Sequence, residues 1–359
     1  MTGTAVRDDR RPVLVTGGAG FIGSNLADRL ARDGHDVIVY DALSRPGVPR
    51  NLDWLRANHG SRIEAIVADI CDEDRLAVAA IRAKAVFHLA AQVAVTTSLI
   101  DPRADYAVNL GATFGLLETL RTQAPATPLI FASTNKVYGD LADCAFALDD
   151  DAYRPTDAAL ACGVAEDRPL DFHTPYGCSK GAADQYVLDY SRSFGLRTAV
   201  MRMSCIYGQR QMGTEDQGWV AHFLIRALEG RPITLYGDGY QVRDILDVSD
   251  AIAAYVAAWD RIDAIRGRAF NLGGGPANAV SLCQLLAHIG ALTGRPVAVD
   301  YADWRAGDQR YFVADMRAAT AALGLRERVG WRDGVAALAA WLATERGFDL
   351  AMPAAQAAE

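Results

Sequence analysis

Short apolar runs alternate with amphipathic ones through the first half of the chain. Val13, Leu14 and Val15 form a continuous apolar run that opens onto a glycine-rich turn. Residues 24–33 follow, with Leu26 and Leu30 one helical turn apart and Gly34 as a stop, the pattern of a short amphipathic helix. Residues 37–40, 63–67, 85–89 and 129–131 read as further strands, with helix-period segments between them. Strands that are apolar on both sides need cover on both sides, which is the condition of a parallel sheet flanked by helices. Right-handed crossovers make this an α/β, doubly wound fold.

The rhythm breaks over residues 139–175, a stretch rich in Asp, Ala and Pro and longer than an ordinary connection. Such a loop serves as a lid, as a contact with a second copy, or simply as a solvated insertion. Helix and strand resume at 184–194 and 197–203. From residue 208 short strands, turns and helices take over, with helices expected at 219–229 and 282–293. The chain therefore divides into a large unit over 1–207, with a return segment near 245–272, and a smaller lobe over 208–350. Residues 351–359 are Ala-rich and read as a tail.

Composition narrows the class. The 359 residues are 51% hydrophobic and 22% charged, enough to bury a sizeable core. A net charge of −8 provides no basic field to recruit nucleic acid or anionic lipid. Cys71, Cys144, Cys162, Cys178, Cys205 and Cys283 show no C-x-x-C spacing and read as reduced thiols, so no metal is expected. Residues 1–11 lack the apolar core of a signal peptide, and no apolar run approaches a membrane span. The expected location is the cytoplasm.

Chemistry enters at the first turn. Thr16-Gly17-Gly18-Ala19-Gly20-Phe21-Ile22-Gly23 joins the first strand to the first helix. Gly17 permits the tight turn, Gly20 lets backbone approach a pyrophosphate, and Gly23 lets helix pack on sheet. Asp41 ends the next strand, placed to bond both ribose hydroxyls and to repel a 2′-phosphate. NAD is therefore expected over NADP. Asp69 and Ile70 end the third strand, where they would meet the adenine, although Asp69 reads equally well as a helix cap. Ala90, Ala91 and Gln92 end the fourth, where small residues admit a cofactor, and Asn109 follows on a helix either at the cofactor or as a polar core residue.

Tyr176 and Lys180 stand one helical turn apart and share a face. A phenol near ~10 is too weakly acidic to serve as a base at neutral pH; bringing it to ~7 takes about 4 kcal/mol, which a lysine and a positive nicotinamide can supply. Thr134, at the end of the strand containing Ser133, can hold a substrate oxygen while Tyr176 moves its proton.

Together the glycine turn, the strand-end Ser133-Thr134 and Tyr-x-x-x-Lys resemble the extended short-chain dehydrogenase/reductase family, over residues 12–345. The resemblance implies a Rossmann domain with a smaller C-terminal substrate-binding lobe, bound NAD, a nucleotide-diphosphate sugar as substrate, and a homodimer formed through two helices of the large unit. It also implies the roles argued above for Thr134, Tyr176 and Lys180. The family's 4,6-dehydratases carry an Asp-Glu pair after the threonine to expel water; here Asn135 and Lys136 stand there, and dehydration is not expected. Residues 132–140, 171–186, 216–220, 241–244 and 308–310 are similar to the branch that inverts C2 of a CDP-linked deoxyhexose, whereas 202–206 and 273–275 depart from it. The alternative is 4-epimerisation of a UDP-, GDP- or dTDP-sugar. A non-catalytic NAD-sensing or scaffolding protein is the remote one, and the complete Thr134, Tyr176 and Lys180 set speaks against it.

The same resemblance suggests Arg243 and Arg310 as a clamp on the diphosphate, a task suited to the planar guanidinium fork. The alternative for each is an ordinary surface ion pair. Gln209, Gln211 and Trp219 are candidates for base or sugar contacts, with Trp219 equally a core residue. His173 either assists proton movement or packs beside its loop. Asn135 bonds either the sugar or its own backbone, and Lys136 reads as an ion-pair partner.

Overall fold

The computed structural model describes residues 10–305 and 307–349; the tail expected over 351–359 lies outside them. Among the described residues seven strands form the main sheet: β1 (Val13–Thr16), β2 (Val37–Asp41), β3 (Ile63–Val67), β4 (Ala85–His88), β5 (Leu129–Thr134), β6 (Thr198–Met203) and β7 (Arg268–Leu272). Their order is β7-β6-β5-β4-β1-β2-β3, parallel throughout. The order reverses beside β1, which opens a crevice at the carboxyl ends of β1 and β4.

Alternation along each strand builds two apolar layers. Val13, Val15, Val37 and Val39 face one of them, with Leu26 and Leu30 of the helix Phe21–Arg32. Leu14, Ile38 and Val86 face the other, with Leu116 and Leu120 of the helix Ala112–Gln123. These side chains are fully buried, and each contributes roughly 1.5–3 kcal/mol relative to exposure. That two-sided burial is why the strands read as unbroken apolar runs.

Beyond β6 the chain builds the smaller sheet. Its strand Val242–Asp247 pairs antiparallel with Ala279–Ser281 and parallel with Tyr311–Phe312 and Cys205–Tyr207. Helices Trp219–Glu229, Leu282–Thr293 and Trp331–Arg346 bury Leu224, Leu285 and Leu338 against one another. The middle helix starts on a capping box, Ser281 with Gln284. Between them, the helix Val248–Asp260 puts Ala251 and Tyr255 into the layer that holds Val13, and β7 then joins β6.

Residues 139–175 form neither a lid over the cavity described below nor a loose insertion. Strands Phe146–Asp149 and Ala152–Pro155 make a hairpin. It docks on the smaller sheet: the Tyr153 phenol donates to Asp238 at 2.6 Å, and the Phe146 ring stacks on Tyr311. Further on, the Val164 N–H donates to Val313 O at 2.7 Å. Within the segment Asp143 pairs with Arg168 and Asp149 with Arg154 at 3.0 Å, while Asp151 accepts from Gln284 of the smaller lobe at 2.6 Å. Among the described residues, no helix is long and apolar enough to cross a membrane.

Candidate active site

The glycine turn has the shape its sequence requires. Gly17 has φ +66°, and a Cβ there would lie 2.8 Å from Ala90 N, against the end of β4. A Cβ on Gly23 would lie 2.0 Å from Gly17 O, so helix and turn could not close with any larger residue. Gly20 caps the helix Phe21–Arg32 without any side-chain bond, which leaves the helix's first N–H groups facing the crevice. Asp41 ends β2 and turns its carboxylate to that place, accepting Ala19 N–H at 3.1 Å and Leu43 N–H at 2.8 Å. Asp69 lies on the surface and accepts the Cys71 N–H at 2.8 Å; the helix cap beyond it is Asp72, and Ile70 is core. Ala90 and Ala91 are half-buried beside the turn. Gln92 and Asn109 hold each other, the Gln92 N–H donating to Asn109 Oδ1 at 2.9 Å and Asn109 Nδ2 donating to Gln92 O at 3.0 Å.

Thr134 closes β5. Tyr176 lies in the first turn of the helix Thr174–Phe194, where the helix dipole favours negative charge. Lys180 is 3% exposed; its Nζ donates to Ala132 O at 2.6 Å and lies 4.1 Å from the centre of the Phe131 ring. β5 and the helix Thr174–Phe194 are locked together from behind. Arg202 Nε and Nη2 each lie 2.9 Å from Asp184, and the Ser133 hydroxyl donates to the same carboxylate at 2.7 Å.

A cavity of about 500 Å³ opens between the two sheets. Phe21 and Ile22 line it from the glycine turn, and Thr134, Asn135 and Tyr176 from the end of β5 and the helix Thr174–Phe194. Gln211, Trp219 and Arg243 face them from the other side. Arg243 is buried and donates to Asp308 at 2.6 Å; Trp219 starts its helix and donates to Cys205 Sγ at 3.4 Å. The Gln211 amide nitrogen is fixed on Ile206 O at 3.2 Å, and its oxygen has no partner among the described residues.

An epimerase model, described as the NAD dependent epimerase/dehydratase family, matches residues 13–273. The chain belongs to that family. It is 41% identical to CDP-paratose 2-epimerase of Salmonella typhi over 92% of this chain and 98% of that protein. It is 34% identical to UDP-glucose 4-epimerase of Mycolicibacterium smegmatis, over 90% and 96%. The fold superposes on UDP-glucuronic acid 4-epimerase from Bacillus cereus, solved in complex with UDP-glucuronic acid and NAD, with a TM-score of 0.80 and 27% identity, covering 93% of this chain and 99% of that one. The glycine turn, the open helix N-terminus and the inward Asp41 fit the dinucleotide in the family's name.

In this member of the family not every residue singled out by sequence reaches the cavity. Gln209 is exposed, and its carbonyl accepts from Asn25 at 3.0 Å. His173 pairs with Asp171 at 2.9 Å beside the loop. Arg310 is exposed with its guanidinium 5.6 Å from the Tyr153 ring centre, so Arg243 lines the cavity without it. The second arginine there is Arg305, laid over the Tyr236 ring at 3.8 Å. Sequence reasoning missed it, because nothing in the run 305–310 says which arginine turns inward. The Asn135 amide bonds side chains and not its own backbone: its Oδ1 accepts the Thr134 hydroxyl at 3.4 Å and its Nδ2 donates to Gln309 at 3.2 Å across the two lobes. Lys136 reaches Gly307 O at 3.0 Å and stands 3.9 Å from Asp308. Of the two departing runs, Met203, Ser204, Cys205 and Ile206 line the cavity. Gly273–Gly275 instead pack behind it on Asp244, which accepts the Gly275 N–H at 2.9 Å.

Burial dominates the electrostatics. It raises the Tyr176 phenol above its ordinary value, with Asp105 adding to the effect and Thr134 and Arg45 opposing it. It lowers the Lys180 ammonium to about 7 and that of Lys136 to about 8. Tyr176 is thus a phenol until positive charge arrives beside it, a more demanding starting point than the Tyr-x-x-x-Lys spacing alone suggests.

Proposed function

We propose that this chain is an NAD-dependent nucleotide-sugar epimerase that inverts C2 of a CDP-linked deoxyhexose through a transient 2-keto sugar. One observation carries the reading: Thr134 and Tyr176 line the same cavity as the helix end after the glycine turn and as Arg243. A sugar held there by its diphosphate would meet a proton-transfer group at the mouth of the dinucleotide site. Gly17, Gly20, Gly23 and Asp41 would hold NAD at that turn, and when bound it would supply reversible hydride acceptance at the sugar carbon.

The protein's own part is positional and acid–base. Arg243 and Arg305, both at the cavity wall, hold the two phosphates. The Thr134 hydroxyl orients the reacting sugar hydroxyl, and Tyr176 takes its proton on oxidation and gives it back on reduction. Lys180, buried one turn below, favours the phenolate while it carries its proton. Asn135 and Lys136 leave no carboxyl group directly after Thr134 to expel water, which favours epimerisation over dehydration. The large unit with its return segment serves the dinucleotide, and the lobe from residue 208 serves the sugar nucleotide.

Similarity to CDP-paratose 2-epimerase favours C2 and cytidine; the 34% identity to a UDP-glucose 4-epimerase keeps C4 as the second reading. Incubation with CDP-paratose and, separately, with UDP-glucose decides between them. Formation of the 2-epimer from the first is expected, and a 4-epimer from the second with none from the first would overturn the C2 assignment.

We place the enzyme in the cytoplasm as a homodimer. Phe114, Tyr186 and Phe194 are exposed aromatics on the helices Ala112–Gln123 and Thr174–Phe194, with Phe114 and Tyr186 in edge contact at 5.5 Å. A contiguous aromatic patch on neighbouring helices suits a second copy. Sedimentation should give a dimer for the native chain and a monomer for Phe114→Glu with Tyr186→Glu; a native monomer contradicts this.

A further inference from the structure

A buried carboxylate stands behind the proton-transfer pair. Asp105 lies in the short helix Pro102–Tyr106, 1% exposed, directly before a single π turn over Ala107–Gly111. Its Oδ2 accepts the Ser179 hydroxyl at 2.5 Å. Its Oδ1 accepts Asn109 Nδ2–H and Gln92 Nε2–H, each at 3.1 Å. The amide oxygens of Asn109 and Gln92 are already engaged, by the backbone N–H groups of Gln92 and Ala94. Three donors therefore converge on Asp105, and the amide acceptors that could take a carboxyl proton are occupied. Burial pushes the Asp105 carboxyl above its ordinary value, and the Ser179 hydrogen bond and the Lys180 charge oppose that rise, so the three donors favour the ionised carboxylate against its burial. Ser179 precedes Lys180 directly and follows Tyr176 by three residues, so Asp105 is tied to the turn that carries both.

The charges around that turn single out Asp105. The contacts of Lys180 Nζ are a carbonyl and an aromatic ring, with no carboxylate against it. Asp184, one turn further along the helix, is matched at both oxygens by the Arg202 guanidinium. Asp105 has only neutral donors in contact, so its field is not cancelled locally and reaches its neighbours. It pushes the Tyr176 phenol upward, and it adds to the larger upward push of Asp184 on the Lys180 ammonium. The other groups facing the pair are Asp184 and the buried His88 for Lys180, and Arg45 for Tyr176.

We propose that Asp105 is a positioning residue whose negative charge sets the pH range over which the Tyr176–Lys180 pair works. The inference rests on Tyr176 as the proton-transfer group. Asp105 keeps Lys180 an ammonium although it is buried, and holds the proton on Tyr176. Removing the charge while keeping the shape lowers both proton affinities together.

The test is the pH profile of kcat/KM for the native holoenzyme and for Asp105→Asn, Asp105→Ser, Asp105→Glu and Ser179→Ala. In the neutral Asn and Ser variants both the acid limb, where Tyr176 gains its proton, and the alkaline limb, where Lys180 loses its own, should move to lower pH by about one unit. Asp105→Glu restores the charge and should bring the limbs back. Ser179→Ala removes a hydrogen bond but no charge, and should leave the alkaline limb in place while lowering the thermal midpoint. A folded, NAD-containing neutral variant with unmoved limbs overturns the inference. So does failure of both neutral variants to fold, which would assign Asp105 to the architecture alone. A native profile with no acid limb contradicts the reading of Tyr176 itself, and is distinguishable because it is seen before any substitution.

Discussion

Replacing Arg202 with methionine should destabilise the protein far more than a surface arginine would. The side chains of Arg202 and Asp184 are 4% and 0% exposed, so water screens neither. Methionine removes both 2.9 Å bonds to Asp184 and the 3.0 Å bond from Nη1 to the Tyr138 hydroxyl. The carboxylate is then left buried against the Ser133 hydroxyl and the Gln185 side chain alone. Stranding one member of a buried pair costs about 3–5 kcal/mol, a large share of a total stability of about 5–15 kcal/mol. At roughly 2 °C per kcal/mol for a chain of this size, the midpoint should fall by roughly 6–10 °C. The assay is thermal and urea unfolding with saturating NAD, for Arg202→Met, Asp184→Leu and the pair together. Because the double variant strands no charge, it should recover to within about 1–2 kcal/mol of the native protein. A single-variant cost below about 1 kcal/mol, or a double variant worse than the sum of the singles, would refute the reasoning. The functional corollary follows from position. Ser133 adjoins Thr134, and Asp184 lies one turn beyond Lys180, so Arg202→Met should lower kcat more than it raises KM.

Two further predictions concern bases whose proton affinity desolvation lowers. His88 is fully buried between Thr16 at 2.7 Å and Thr113 at 3.0 Å, and burial lowers its pKa from the ordinary 6.5 to about 3. The unfolded chain therefore binds a proton first. The stability that depends on His88 is complete above 6.5 and is lost as pH falls towards 3, at up to about 1.4 kcal/mol per pH unit. Urea midpoints of His88→Gln should lack that component of the acid slope, and an unchanged slope would contradict it. Lys136, held at about 8 by burial beside Arg243 and against the pull of Asp308, is charged below that pH and neutral above it. Affinity for the anionic substrate should weaken as pH rises through 8, and Lys136→Met should raise KM about ten-fold, or about 1.4 kcal/mol, with that pH step gone. A pH step that survives in Lys136→Met would assign it to another group.

The sheet was legible because its strands are buried on both faces, which leaves continuous apolar runs such as Val13, Leu14 and Val15. The end of β5 was harder to see, since Ala132, Ser133 and Thr134 are small or polar. The helix Thr174–Phe194 shows clear periodicity only from 184, and its start was marked instead by the Tyr176–Lys180 spacing. Its buried face there carries Lys180 and Asp184, and a hydrophobic pattern cannot mark a face made of charges. The Tyr176–Lys180 pair was still readable from its four-residue spacing, as were the glycines from their turn. The choice between Arg305 and Arg310 was not. The register of the segment leading into Tyr311–Phe312 puts Asp308 at the cavity, buries Gln309 fully and leaves Arg310 exposed. That register is set by pairing with Val242, whose N–H donates to Arg310 O at 2.9 Å, and pairing is a property of the fold. The hairpin within 139–175 escaped for the opposite reason, since Phe146 and Leu148 are too sparse to signal a strand until Tyr311 is beside them.

The central claim is that a sugar carbon is oxidised and reduced again by NAD that never leaves the site. It is tested most directly by incubating the purified protein with CDP-paratose in D₂O, without added cofactor, and following the sugar by proton NMR. The account predicts conversion to CDP-tyvelose with the original hydrogen retained at C2, and loss of that conversion in Tyr176→Phe despite retained NAD. Deuterium at C2, or full activity in Tyr176→Phe, would contradict it.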